Sequence, residues 1–293
     1  MENSIVKIGK IDLGKLSGPF TKLVEVGAAG CGRLWSPFEI VLKAKAESKA
    51  RAIKALANHD IAEFQLQSKT RLEYLEAVRQ DNLSKIGTHA LNALPETVSD
   101  EPVEKDWILQ FFDHAQYVCD EDMQILWGRI LAGETSEPGS FSKRTLQLLK
   151  TFEKEDAKAF TAMCSLCFYA DNWPCILMNS VTQECLNKIT KTNVDYVIHF
   201  KTIGLLMNEP GITLIFDENK ATTIRYYDEN YKFSKVVDRP VPHLRESFTR
   251  IRFTAIGYEL IKTANAKPCP GYVHSFSESI KQTNGLELVL VTE

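Results

Sequence analysis

Long apolar runs are missing from this chain. No stretch of about 18 uncharged apolar residues occurs, so a transmembrane helix is not expected. The first 15 residues lack the apolar core that follows a basic start in a secretory signal. Glycine and proline are scarce, 15 and 11 in 293 residues, which excludes collagen-like and low-complexity classes. The seven cysteines are odd in number and scattered, so no disulfide framework is expected and a reducing cytoplasm fits. An excess of one charge is also lacking: 35 basic against 38 acidic residues, a net of −3, argues against wholesale coating of nucleic acid. What remains is the composition of a globular protein, 44% hydrophobic and 25% charged, long enough for two compact domains or for one with an extended arm.

Recognisable chemistry is scarce too. Cys164-x-x-Cys167, with Cys175 and Cys185 downstream, is the one metal-like pattern. Zinc needs four converging ligands, commonly from paired knuckles. Here the first pair sits in an apolar run expected to be helical, and no second close pair follows, so these cysteines read as small hydrophobes. Six histidines and seven cysteines offer no nucleophile in a recognisable frame. Asp120-Glu121-Asp122 opens a helix, where carboxylates favour the positive end of the dipole. Gly133 to Ser142, GETSEPGSFS, lacks the lysine after its last glycine and the preceding strand that a phosphate loop needs. Its residues suit a corner instead: Gly133 as helix C-cap, Pro138-Gly139 at the centre of a type II turn, and Ser140 or Ser142 as the next N-cap. No catalytic residue, metal or cofactor is expected.

Charge is unevenly spread along the chain. Residues 1–54 carry ten Lys/Arg against five Asp/Glu, leaving the remainder at −8. A basic arm on an acidic body suggests a partner for the arm. Phe20, Leu23, Leu34, Trp35 and Phe38 lie among Lys22, Arg33, Lys43 and Lys45, a mixture suited to an interfacial helix on an anionic membrane. The other reading is an amphipathic hairpin packed on the body or on another protomer, favoured because Glu25 and Glu39 interrupt the apolar face. Ser36-Pro37-Phe38-Glu39 is a capping box with proline in the first turn. From residue 38 through 86 there is neither glycine nor proline, which predicts a helix of roughly 74 Å if unbroken. Such a strut needs a surface to bury against, its own body or a second copy.

Helices are predicted at about 104–117, 121–133, 142–152 and 155–171 from apolar periodicity. After Asn172-Trp173-Pro174 the texture changes. Helices at about 180–189 and 193–207 precede two strands, 212–216 and 222–227, expected to form a hairpin. A strand at 251–254, a helix from Ala255 and a last strand at 286–292 follow. The expected fold is therefore mainly α: a long N-terminal helical arm and helical core, then a winged-helix-like α/β C-terminal module. The expected domains are 1–95, 96–172 and 173–293. In such a module residues 193–207 would be the DNA reader, with Lys201 and His199 on it. Arg239, Arg245, Arg250 and Arg252 offer phosphate contacts from a loop and strand. A reader normally projects several Arg, Lys, Asn or Gln side chains, so DNA binding stands as the alternative to protein interaction.

Gln124 through Glu134 (QILWGRILAGE) with Pro138-Gly139-Ser140-Phe141-Ser142 resembles the signature of an uncharacterised bacterial family related to the abortive-infection alpha proteins. The resemblance extends to Arg79-Gln80-Asp81-Asn82, Asp106-Trp107, Leu146 through Phe160, and more faintly to Ile203 through Leu206 and Phe253 through Leu260. Leu206 and Phe253 depart conservatively from the pattern. The resemblance implies a bacterial cytoplasmic protein, peripheral at the inner membrane if its arm meets lipid, acting in phage defence, with no catalytic residues to carry over. The expectation is a non-enzymatic defence protein working through a protein partner, self-assembly as a homo-oligomer, or membrane disturbance.

Overall fold

A computed structural model of the chain describes residues 17–31, 61–191, 194–209, 212–215, 223–236 and 247–291. The chain divides into two compact units, Met1–Lys154 and Glu155–Glu293. The capping box at 36–39, and the first part of the predicted long helix, lie outside the described residues.

The first unit is helical: α1 (Ser17–Cys31), α2 (Ile61–Ala93), α3 (Lys105–Ala115), α4 (Glu121–Ser136) and α5 (Lys143–Leu149). The long helix is real from Ile61 onward and continues through Gly87. It packs chiefly on α4, while α1 lies on α3 and α4. Trp107 stacks on Phe111 at 5.1 Å, and Phe111 meets Trp127 edge-on at 5.2 Å. All three rings are buried, as are Ile86, Ala90, Ile130 and Leu131 of the same unit. A Cβ on Gly30 would stand 2.0 Å from a ring carbon of Phe112, so the small residues of α1 are what let that helix close on the core.

The corner after α4 is held by a carboxylate. Gly133 does not end the helix, which runs on to Ser136. The expected C-cap is instead a close approach: a Cβ there would meet Phe141 Cε2 at 2.7 Å. Glu134, 2% exposed, accepts from the Gly139 N–H at 2.7 Å and the Phe141 N–H at 2.9 Å. Gly139 has φ +86°, and the Ser140 N–H donates to the Glu137 carbonyl at 3.1 Å, as a type II turn over Pro138-Gly139 requires. Ser142 then caps α5 by accepting from the Thr145 N–H. Asp120 caps α4 in the same way, through Met123.

The second unit is not a winged helix. Its elements are α6 (Lys154–Cys164), β1 (Phe168–Ala170), β2 (Trp173–Met178), α7 (Ser180–Thr190), α8 (Tyr196–Thr202), β3 (Ile212–Ile215), β4 (Thr223–Tyr226), β5 (Glu229–Lys235), β6 (Ser247–Arg252), α9 (Ala255–Ile261), α10 (Tyr272–Asn284) and β7 (Leu286–Leu290). The strands form one sheet in the order β3-β6-β2-β1-β4-β5-β7, and every pairing is antiparallel. The predicted helix at 155–171 stops at Cys164 because the chain turns into β1. Asp171 and Asn172, at φ 51° and 64°, make the two-residue hairpin to β2. Left-handed residues at both loop positions match the twist of the flanking strands. The predicted β3–β4 hairpin does not form either: β3 pairs with β6, and β4 with β1 and β5.

Phe168 carries one face of this sheet. Its ring meets Tyr226 at 5.3 Å and Phe276 of α10 at 5.5 Å. The Tyr226 hydroxyl donates to the Ser165 carbonyl and accepts from the Cys269 N–H at 2.8 Å. On the opposite face, by strand alternation, Phe253 meets Phe160 of α6 at 6.0 Å, and Phe160 meets Phe200 of α8 at 5.8 Å. The helix predicted at 193–207 ends at Thr202, because Gly204 takes φ +83° and the Leu205 N–H turns back to the Phe200 carbonyl.

Two outcomes check these assignments. Glu134→Ala strands two backbone donors in the first unit and is expected to cost about 3 kcal/mol in urea unfolding, with Glu134→Gln losing roughly half as much. A change within about 0.5 kcal/mol for both would show that the carboxylate does not hold the corner. Burial pushes the Tyr226 hydroxyl up to about 12. Above the ordinary tyrosine value of 10.0 the unfolded chain sheds this proton while the folded chain keeps it, so stability falls as pH rises between those values. Tyr226→Phe is expected to be less stable at pH 8, through its lost hydrogen bonds, and to show a shallower alkaline decline.

Candidate cleft at Trp173 and Tyr258

The hairpin that starts β2 leaves Trp173 at the end of the strand, 62% exposed. Pro174 follows it inside the sheet. Ala170 and Trp173 close the hairpin, so the next pair, Tyr169 with Pro174, is of the non-hydrogen-bonded kind and the missing Pro174 N–H faces away from β1. On that side the pairing with β6 begins one residue later, at Cys175 with Arg252. Thr254 lies two residues past β6 and caps α9: its Oγ1 accepts from the Gly257 N–H at 3.1 Å and donates to the Gly204 carbonyl at 2.6 Å. Gly257 lies so close to the Leu205 carbonyl that a Cβ would stand 2.2 Å from it. This fixes α9 and puts Tyr258, 39% exposed, beside Trp173 with ring centroids 5.7 Å apart.

Between these elements lies a cleft of about 750 Å³, lined by Asp171, Trp173, Pro174, Met207, Arg250, Arg252, Phe253, Thr254, Ala255, Tyr258 and Glu259. Its floor is apolar through Phe253, which is buried. Its cations are partly engaged. Arg252 makes a two-point ion pair with Glu209, at 2.9 and 3.0 Å. That pair holds the Glu209 carboxyl below its ordinary value and raises the Arg252 guanidinium. Arg250 Nη2 donates to the Ala170 carbonyl at 3.4 Å, while its Nε is buried with no hydrogen-bond partner among the described residues. Lys262 Nζ stands 6.0 Å over the Tyr258 ring.

The residues singled out from the sequence are scattered. Phe20, Lys22 and Leu23 belong to α1; Leu23 is buried, Phe20 is half-buried, and the Lys22 ammonium donates to the Ser99 carbonyl. Arg33, Leu34, Trp35, Phe38, Lys43 and Lys45 lie outside the described residues, as do Arg239 and Arg245. Lys201 is half-buried on the seven-residue α8, whose Tyr196 and Phe200 are buried in the core and whose His199 Nε2 is 2.8 Å from Asp156 Oδ1. Arg250 and Arg252 do line a site, but it is shared with the carboxylates of Asp171 and Glu259. Trp173 and Tyr258 were not among the site residues expected from the sequence. Trp173 stood at an apparent boundary, Tyr258 inside a helix, and nothing local signals that β2 and α9 meet.

Cysteine chemistry is quiet at the buried pair. Cys164 ends α6, Cys167 precedes β1, and desolvation pushes both thiols well up, the state of an inert thiol. Among the described residues no group of three or more His, Cys, Asp or Glu is placed to hold a metal ion, and no helix is long and apolar enough to cross a membrane.

No curated protein and no solved structure matches the chain. A family profile does match, over residues 67–277, which takes in α4, the corner and the whole cleft, and leaves out α1. Its description is silent on abortive infection. The chain belongs to this family, described as proteins of unknown function, DUF2806.

Proposed function

We propose that the protein works by binding a partner protein at the Trp173–Tyr258 cleft and turns over no substrate. The observation that carries this reading is the pairing of two exposed aromatic rings over an apolar floor with arginines at the wall. Trp, Tyr and Arg in a concave, partly desolvated setting are the residues that dominate protein–protein binding energy. An extended segment bringing one apolar or flat side chain into the cleft would bury both rings. Its backbone carbonyls would find a donor in the Arg250 guanidinium.

Charge favours a protein over nucleic acid here. Arg252 is already neutralised by Glu209, and Asp171 and Glu259 face the same space, where a phosphate backbone would be repelled. Phage defence is the setting we propose for this binding; it rests on the resemblance of the 124–142 signature to the abortive-infection alpha relatives. Self-assembly through α2, or contact of the arm with lipid, would add to the cleft's role and would not replace it.

The test uses the full chain in phage-challenged cells, comparing wild type with Trp173→Ala/Tyr258→Ala. The double variant is expected to keep its thermal unfolding, lose protection, and recover its partner at least about thirtyfold less well, as removal of hot-spot side chains worth about 2 kcal/mol or more implies. Equal recovery and equal protection would overturn the reading.

A further inference from the structure

A second feature, independent of the cleft, lies on the sheet face covered by α7 and α10. The two helices pack together, and Thr182 Oγ1 of α7 lies 3.0 Å from the Tyr272 hydroxyl of α10. Cys185 is one turn along α7 from Thr182, on the same side of the helix. Cys269 is one turn before Tyr272, whose N–H donates to the Cys269 carbonyl at 3.2 Å. The Cys269 N–H is in turn held by the Tyr226 hydroxyl at 2.8 Å. Each cysteine is thus fixed by its backbone beside the other, and their side chains interact. Both are free thiols and both are half-exposed.

Cys164, Cys167 and Cys175 are buried, out of reach of a dissolved oxidant, and Cys31 and Cys119 belong to the first unit. We propose that Cys185 and Cys269 form an oxidant-responsive thiol pair that closes to an intrachain disulfide under peroxide. One thiolate attacks the peroxide, gaining an S–O bond as the O–O bond breaks, and the departing hydroxide leaves as water after protonation. The second thiolate attacks the resulting sulfenic sulfur, forming the S–S bond and releasing the second water. Two thiols are oxidised and one hydrogen peroxide is reduced. The closed loop spans α8, β3 to β6 and α9, so the bond ties together the segment that carries Tyr258 and both cleft arginines.

Burial raises the Cys185 thiol above its ordinary value, and the adjacent Cys269 adds to that. A raised thiol carries little thiolate and reacts slowly, so closure needs sustained exposure to peroxide, and both thiols are free in the structure.

The full chain is treated with hydrogen peroxide, alkylated, digested without reductant and mapped. The expected result is a peptide pair joined through Cys185 and Cys269, the loss of two hydrogen atoms from the intact mass, two fewer alkylatable thiols, and full reversal by dithiothreitol. Cys185→Ser and Cys269→Ser should each leave the remaining thiol trapped as a sulfenic acid adduct, with no cross-link. A cross-link at Cys167–Cys175, an intermolecular bond through Cys119, or Cys185 and Cys269 both still alkylatable after treatment would overturn the proposal.

Discussion

The second unit depends on a turn of two residues. Asp171 and Asn172 both hold left-handed backbone, which short polar side chains tolerate better than most, and they fold β1 directly back on β2. These strands lie in the interior of the seven-strand order, so the turn fixes the register from which β6 and β4 are placed on either side. A slip of one residue would exchange the faces of every side chain in the hairpin. Phe168 would leave its ring cluster, and Trp173 would leave the mouth of the cleft. The same turn brings the Ala170 carbonyl to Arg250. Sheet order and binding surface thus follow from one local conformation.

The first unit uses a different device to the same end. A single buried carboxylate, Glu134, gathers the backbone of the corner, and Gly133 lets the Phe141 ring seat beside it. The most distinctive stretch of the chain, from Gln124 to Ser142, therefore consists of packing and capping groups: a buried Trp127, the Ser142 helix cap, a turn and a clamp. Its distinctiveness reflects how narrowly that corner is specified. Recognition falls to residues that look ordinary in sequence.

Much of the helical unit could be read in advance. Apolar spacing locates α3, α4 and α5 within a few residues, and of the two serines offered as the next N-cap, Ser140 and Ser142, the second forms it. Gly133 was misread because a glycine near a helix end looks the same whether it supplies a left-handed cap or space for a neighbouring ring. The sheet was read poorly for identifiable reasons. β1 is three residues long and has no alternation to show. β2 contains a proline that is tolerable only because pairing on its other side starts at Cys175. β5, ENYKFSK, is polar enough to pass for a loop, and α10, YVHSFSESIKQTN, buries Tyr272, Phe276 and Ile280 on a stripe lost among polar residues. β3 and β4 looked like partners since they are neighbours in sequence, but the sheet separates them. The cleft inherits all of this. Arg250 and Arg252 stood out as cations, while the carboxylate that neutralises one of them, and the rings that make the site apolar, come from distant segments.

The central claim is that this chain meets its partner through the cleft, and in-cell photocrosslinking from defined positions tests it most directly. A benzophenone side chain placed at Trp173 or Tyr258 of the full chain should give one discrete heavier product on illumination. The same group at Lys188, exposed on α7 of the same unit, should give none. Products of equal yield from Lys188, or none from either cleft position, would contradict the account.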